Sequence, residues 1–349
     1  MPALNLVIEE IDIASLTDEQ IDELNAFANV MRAEAHPDDP PISDEQTRIG
    51  YRSIPTFVVP REFVARGEDG AIVGWLGVSW ERAEHNQHLL DIVLDVLPTH
   101  RRRAIATTLL STAVDCADAA GKTLLIGHTI DRVPSGEAFA ERVGAKRALV
   151  GHTNRLLVSD IDRAMVERWV AEGPERAPGY SLVSIDGPCP DDLIDAVVDV
   201  LHVMNTAPTE DLDIEDQVWT VEEMREMEKS QLAVGGERRY VAARHDESGE
   251  LVGFTEMWRY PAREPNTVRQ WGTAVRPEHR GHALGKWLKA SNIRRLLDEW
   301  PEVMDIRTHN ADSNDPMLGI NRALGFKPYT VDIHWQISSD DARTYVASH

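Results

Sequence analysis

The residue types best suited to holding an anionic ligand are concentrated in Val275-Arg276-Pro277-Glu278-His279-Arg280-Gly281-His282-Ala283-Leu284-Gly285-Lys286. A proline closes a strand-like run and small residues open a helix-like one, whose first amides have no carbonyl partner inside the helix. Free amides at the positive end of a helix dipole form an anion site, and Gly281 and Gly285 let a phosphate come close to the backbone. Arg280 and Lys286 add positive charge.

Spacing separates the phosphate-binding patterns that could apply. A P-loop needs four residues between its first glycine and Gly-Lys, followed by Ser or Thr; Gly281 and Gly285 enclose three, and Trp287 follows Lys286. The dinucleotide fingerprint needs glycines at its first, third and sixth positions, which this segment lacks. The pattern that remains is Arg-x-x-Gly/Ala-x-Gly/Ala, suited to a pyrophosphate.

The elements that must position this segment occur twice. Gly70-Ala71-Ile72-Val73-Gly74-Trp75-Leu76 matches Glu250-Leu251-Val252-Gly253-Phe254-Thr255, and Leu97-Pro98-Thr99-His100-Arg101 matches Arg276-Pro277-Glu278-His279-Arg280, both at a separation of 179 residues. An amphipathic helix follows each proline, with Ile105, Leu109, Ala113, Ala117 and Ala120 on one face in the first copy. Leu284, Leu288, Ile293, Leu296, Leu297 and Trp300 form the corresponding face in the second. Each copy then runs through an apolar strand and a short helix ending in Val143-Gly144-Ala145 or Leu324-Gly325-Phe326, before a last strand. A helix over 162–172 runs into Gly173-Pro174-Glu175-Arg176-Ala177-Pro178-Gly179, which reads as a boundary. The expected organisation is a first domain over 1–160, a linker region over 161–179 and a second domain over 180–349. The class is α+β, a mixed α/β sheet flanked by helices in each copy.

Length and composition agree with two ordinary globular units: 349 residues, 42% hydrophobic and 27% charged. A formal charge of −23 repels phosphate backbones and anionic membranes, which argues against nucleic-acid and membrane partners and favours a cationic small molecule. Cys116 and Cys189 are far apart and lack a Cys/His cluster, so neither a disulfide framework nor a zinc site is expected; Cys116 reads as a packed thiol. His85 and His88 sit in a polar turn with no third ligand, and no metal is expected. Met1 to Glu10 has no basic segment followed by an apolar core, and no stretch approaches 18 uninterrupted apolar residues, which points to the cytoplasm.

Arg280-Gly281-His282-Ala283-Leu284-Gly285, together with Asn310-Ala311-Asp312-Ser313-Asn314-Asp315-Pro316-Met317 and Asn321-Arg322-Ala323-Leu324-Gly325-Phe326, resembles the GNAT acyl-CoA N-acetyltransferases. The resemblance extends over both copies, implying two tandem GNAT-like domains, each built on a mainly antiparallel, splayed sheet. It implies acetyl-CoA as co-substrate and direct attack of an amine on the thioester. Its cofactor-binding positions fall on Thr273, Ala274 and Val275, on Arg280 to Lys286 (Arg280, Gly281, His282, Ala283, Leu284, Gly285, Lys286), and on Asn310, Asn314 and Asn321. The first copy carries Arg101-Arg102-Arg103-Ala104-Ile105-Ala106 in place of the loop and Val133 in place of Asn314, so it reads as degenerate.

For the base that must deprotonate the attacking ammonium, Glu256 in the apolar strand Leu251-Val252-Gly253-Phe254-Thr255-Glu256-Met257-Trp258 is the first candidate, because desolvation raises a carboxyl's pKa. The alternative is a solvent-facing carboxylate or a structural ion pair. The first copy has Gly77 there. His309 is the reserve candidate. Many members of the resembling family carry a tyrosine four residues before the closing glycine as acid for the leaving thiolate; here Asn321 and Ala140 stand there, and Tyr329 is the nearest substitute. The acidic stretch from Met204 to Trp219 is expected to contact substrate, in a form suited to a polyamine or aminoglycoside-like cation, or else to be a solvated loop. Mycothiol synthase-like chemistry is another alternative within the class, and a non-catalytic acyl-CoA-binding or sensing protein, drawn from the absent tyrosine, lies outside it. A homodimer is compatible with the resemblance.

Overall fold

The computed structural model describes residues 6–349. Met1 to Asn5, the first part of the segment read for a leader, lie outside them. In chain order the strands and helices are β1 (Val7–Ile11), α1 (Asp18–Ala35), α2 (Asp44–Arg52), β2 (Val58–Arg66), β3 (Ile72–Glu81), β4 (Leu89–Val96), α3 (Ile105–Ala120), β5 (Leu124–Ile130), α4 (Pro134–Val143) and β6 (Lys146–Leu157). They continue with α5 (Arg163–Arg176), β7 (Tyr180–Asp186), α6 (Ile194–Leu201), α7 (Val221–Ala233), β8 (Glu237–His245), β9 (Leu251–Arg259), β10 (Thr267–Val275), α8 (Leu284–Glu299), β11 (Asp305–Ala311), α9 (Asp315–Leu324), β12 (Lys327–Ser338) and α10 (Ser339–Ala347).

Two compact units result, and they are not the two contiguous halves expected from the repeat. The first comprises the chain up to Val150 with Glu210–Glu215 and Asp332–His349; the second comprises Gly151–Thr209 and Asp216–Val331. In the first unit β1, β2, β3 and β4 pair antiparallel in order, β4 pairs parallel with β5, and residues 332–338 of β12 run antiparallel to β5. The second unit repeats this plan. There β7, β8, β9 and β10 pair antiparallel, β10 pairs parallel with β11, and residues 151–157 of β6 run antiparallel to β11. Each unit is thus completed by the closing strand of the other half of the chain.

The helix stripes bury as the periodicity predicts. Ile105, Leu109, Ala113 and Ala117 of α3 pack with Val73, Leu76 and Leu90, and Ile293 and Leu296 of α8 pack with Met257, Val268 and Ile306. Gly144 and Gly325 end α4 and α9 at φ 83° and 98°, a left-handed cap that costs glycine little.

The presumed linker is structured. The Asp162 side chain accepts from the Met165 N–H to start α5, and the helix continues through Pro174 to Arg176. Pro174 falls in the last turn, where the backbone bond its missing N–H cannot make is one at the helix end. The reason for Gly173 is close approach, since a Cβ there would lie 2.4 Å from atoms of the Trp287 ring on α8. Among the described residues, no helix is long and apolar enough to cross a membrane.

Candidate active site

The loop from Arg280 to Gly285 has the geometry of an anion nest. Gly281 and Ala283 adopt φ 88° and 57°, and none of the five amides from Gly281 to Gly285 finds a backbone carbonyl. Arg280 braces it, its Nε donating to the Val275 carbonyl at 2.9 Å and its Nη2 to Thr206 Oγ1 at 2.8 Å. A Cβ on Gly285 would stand 3.1 Å from Ile320, so the backbone is close to its neighbour there. Lys286 is exposed, its Nζ 5.1 Å from the Trp169 ring centroid, and the His282 ring lies 5.4 Å from Tyr180. Leu284 is buried and anchors the first turn.

The nest follows a strand that separates from its neighbour. β10 pairs with β11 only from Thr267 opposite Asp305 to Gln270 opposite Thr308. Its register with β9 then shifts between Gln270 and Thr273, and Thr273, Ala274 and Val275 resume opposite Thr255, Phe254 and Gly253. The β11 side of these three residues has no strand partner, leaving an open edge of the kind a thioester carbonyl can approach. Gln270 ties the irregularity, its Nε2 donating to the Glu256 carbonyl at 2.7 Å and to Thr255 Oγ1 at 3.1 Å.

Glu256 lies opposite this irregular stretch and makes the ion pair that stood as the alternative reading of it. Arg238, reaching diagonally from β8, donates Nε to Glu256 Oε1 at 2.6 Å, and Trp258 Nε1 donates to the same oxygen at 2.8 Å. Arg238 also donates Nη1 to Glu228 Oε1 at 2.5 Å. The apolar run hides an ion pair because its cationic member is on another strand. Around Glu256 stand aromatic side chains that the sequence reading left unassigned: Trp258 and Trp271 are 5.7 Å apart, Trp258 stacks on Tyr260 at 6.2 Å, and Trp271 is 40% exposed. Their signal was a tryptophan within the β10 irregularity.

The asparagines divide between two tasks. Asn314 caps α9, its Oδ1 accepting from the Met317 N–H at 3.4 Å. Asn321 instead forms a chain: Lys289 Nζ donates to Asn321 Oδ1 at 2.7 Å, and Asn321 Nδ2 donates to Asn310 Oδ1 at 2.7 Å. Asn310 lies past Thr308, on the separated part of β11. Lys289 is 1% exposed, and burial pushes its ammonium down to about 7. A lysine between Leu288 and Ala290 on a buried helix face was the overlooked signal.

His309 is exposed on the same separated segment, with its ring against Gly151 of β6. Tyr329 is elsewhere: the Arg155 and Arg307 guanidiniums lie 4.3 and 4.9 Å from its ring centroid, and Arg307 belongs to the part of β11 still paired with β10. Two cations therefore claim this ring beside the closed part of the strand pair.

Two features of the first unit change the sequence reading. Its loop keeps the backbone of the nest, with Arg102 and Ala104 at φ 65° and 63° where the second unit has Gly281 and Ala283. Arg101 Nε donates to the Val96 carbonyl at 3.1 Å, as Arg280 does to Val275, while its guanidinium pairs with Glu34. Part of the acidic stretch Met204 to Trp219, residues 210–215, is docked by hydrogen bonds. Glu215 accepts from the Asn86 amide, Asp213 N–H donates to Gln336 Oε1 at 3.0 Å, and His88 Nε2 lies 3.1 Å from the Asp213 carbonyl. Residues 210–215 thus belong to the first unit, where the turn at Asn86 and His88 supplies their partners.

Comparisons with known proteins agree with this geometry. The Acetyltransferase (GNAT) family profile matches residues 22–145 and 204–326. A solved structure of a tandem GNAT protein from the clavulanic acid biosynthesis pathway is 26% identical, covering 96% of this chain and 99% of that one with a TM-score of 0.77. The GCN5-related N-acetyltransferase of Sphaerobacter thermophilus shares the fold at 12% identity, with 96% of each chain covered and a TM-score of 0.68. No curated protein sequence matches. Family matches in both copies, with a splayed strand pair leading into a nest in the second, make this chain a tandem member of the GNAT acetyltransferase family.

Proposed function

We propose that the chain is a cytoplasmic, acetyl-CoA-dependent N-acetyltransferase whose second unit acetylates a primary amine of a small cationic molecule. The observation that carries this reading is the continuity of the open edge at Thr273–Val275 with the five free amides of residues 281–285. A pyrophosphate on those amides and on Arg280 would direct the attached thioester along the separated strands.

The amine nitrogen attacks the thioester carbonyl carbon, the new C–N bond forms, and the C–S bond breaks with its electron pair left on sulfur. Glu256 takes the ammonium proton through its second carboxylate oxygen, the first being occupied by Arg238 and Trp258. A cationic acceptor is supported by the charge of −23 and by Trp271, whose exposed ring near Glu256 offers a cation–π surface.

A thiol-release assay over a panel of polyamines, aminoglycosides and simple primary amines tests the proposal. Turnover with at least one of them, lost in Gly285→Trp and Glu256→Gln, is the expected result. Calorimetric binding of acetyl-CoA with no turnover across the panel would overturn it in favour of a sensing protein.

A further inference from the structure

We propose that Lys289 and Asn321 are positioning residues that turn Asn310 into a hydrogen-bond donor for the sulfur leaving the thioester; this rests on the second unit's cleft accepting the acyl-CoA. The argument is one of direction. Lys289 Nζ donates to Asn321 Oδ1 at 2.7 Å, which turns the nitrogen of the Asn321 amide away from the lysine. That nitrogen donates to Asn310 Oδ1 at 2.7 Å, which leaves the Asn310 NH2 as the group not used in the chain. Asn310 is half-buried on the separated segment of β11, next to the strand-free edge of Thr273–Val275.

Packing does not account for Lys289. It is among the largest fully buried side chains, and among the described residues no carboxylate pairs with it; Asn321 is its hydrogen-bond partner and the Phe326 ring centroid lies 5.4 Å away. Methionine would fill the same volume without the cost of burying an ammonium. Desolvation alone lowers its proton affinity, no charged neighbour contributing. A negative charge on a sulfur accepting from the Asn310 NH2 would strengthen both bonds of the Lys289, Asn321, Asn310 series, because each donates in the direction of Asn310.

The test uses coenzyme A itself as probe. Calorimetry first establishes that it binds the wild-type protein and that the second-unit binding is lost in Gly285→Trp. Ultraviolet absorbance of the thiolate then follows titration of the bound thiol. The expected result is a bound thiol about one unit more acidic than that of free coenzyme A, an acid constant raised about tenfold. Lys289→Met, outside the cofactor-binding positions, returns it to the free value while coenzyme A affinity changes by less than about threefold, and Asn321→Leu returns the thiol of whatever coenzyme A it still binds to the same value. A merely structural role would not move the thiol. Bound coenzyme A whose thiol titrates alike in the wild type and both variants overturns the inference and leaves the proposed function standing; no binding to the wild type overturns both.

Discussion

Arg238 lies 2.6 Å from Glu256 on β9 and 2.5 Å from Glu228 on α7, so one buried guanidinium holds two carboxylates. This joins α7 to the sheet directly beneath the candidate site, and the carboxylate proposed to accept a proton is thereby fixed in place. Positioning and stability are coupled at one side chain.

Arg238→Met is expected to leave Glu256 buried without its cation and Glu228 with Arg225 alone, and to cost roughly 3–5 kcal/mol in urea unfolding. Glu256→Gln keeps an oxygen for Trp258 and should cost less, about 1–3 kcal/mol. The folded Glu256→Gln protein should nonetheless lose turnover. Full activity in that variant would remove Glu256 from the mechanism.

Lys289 gives a stability that depends on pH with a definite sign. Its folded pKa of about 7 lies below the ordinary 10.5, so between those values the unfolded chain binds more protons and stability rises with pH. Below 7 the lysine is charged in both states and the full burial cost applies. Lys289→Met should therefore be more stable than the wild type by several kcal/mol at pH 6, an advantage that shrinks steadily toward pH 10. Urea unfolding of both proteins at three pH values measures this, and a constant difference would contradict it.

The two nests make opposite predictions about glycine. Arg102 occupies φ 65°, a conformation costly for a residue with a Cβ, whereas Gly281 occupies φ 88°. Arg102→Gly should stabilise the first unit by up to about 1 kcal/mol, and Gly281→Ala should destabilise the second by about 1–2 kcal/mol. Because the first unit keeps the same backbone without glycine, Gly281→Ala should weaken acetyl-CoA binding without abolishing it. Calorimetry and thermal unfolding check the two halves of this statement.

Gly173→Ala places a methyl 2.4 Å from the Trp287 ring, and overpacking of that kind costs about 1–3 kcal/mol. Trp287 sits one position after Lys286 in the first turn of α8, so acetyl-CoA affinity should fall as well. An unchanged Tm would show that α5 can move away from α8 freely.

Much of this fold was legible because its signals were local. The repeat at 179 residues, the stripes of α3 and α8, and the glycine stops at Gly144 and Gly325 all concern residues close in sequence, where periodicity and capping act. The nest was legible for the same reason. What escaped depended on partners distant in the chain: Arg238 beside Glu256, Trp287 over Gly173, and the turn at Asn86 that docks residues 210–215. Arg102 and Ala104 mislead in a further way, since their side chains suggest a lost loop while their backbone retains it. Asn321 could be read as the absence of an acid, but only α8 and α9 together show that it is the middle of a chain beginning at Lys289.

The exchange of closing strands has a consequence for synthesis. β5 ends at Ile130, but its antiparallel neighbour in the first unit begins at Asp332. At a ribosomal pace of 5–20 residues per second, an edge strand made early waits roughly 10–40 s for its partner to emerge. The first unit is thus the first to be translated and the last to be closed, and during that interval its open edge is the part of the nascent chain most in need of a chaperone.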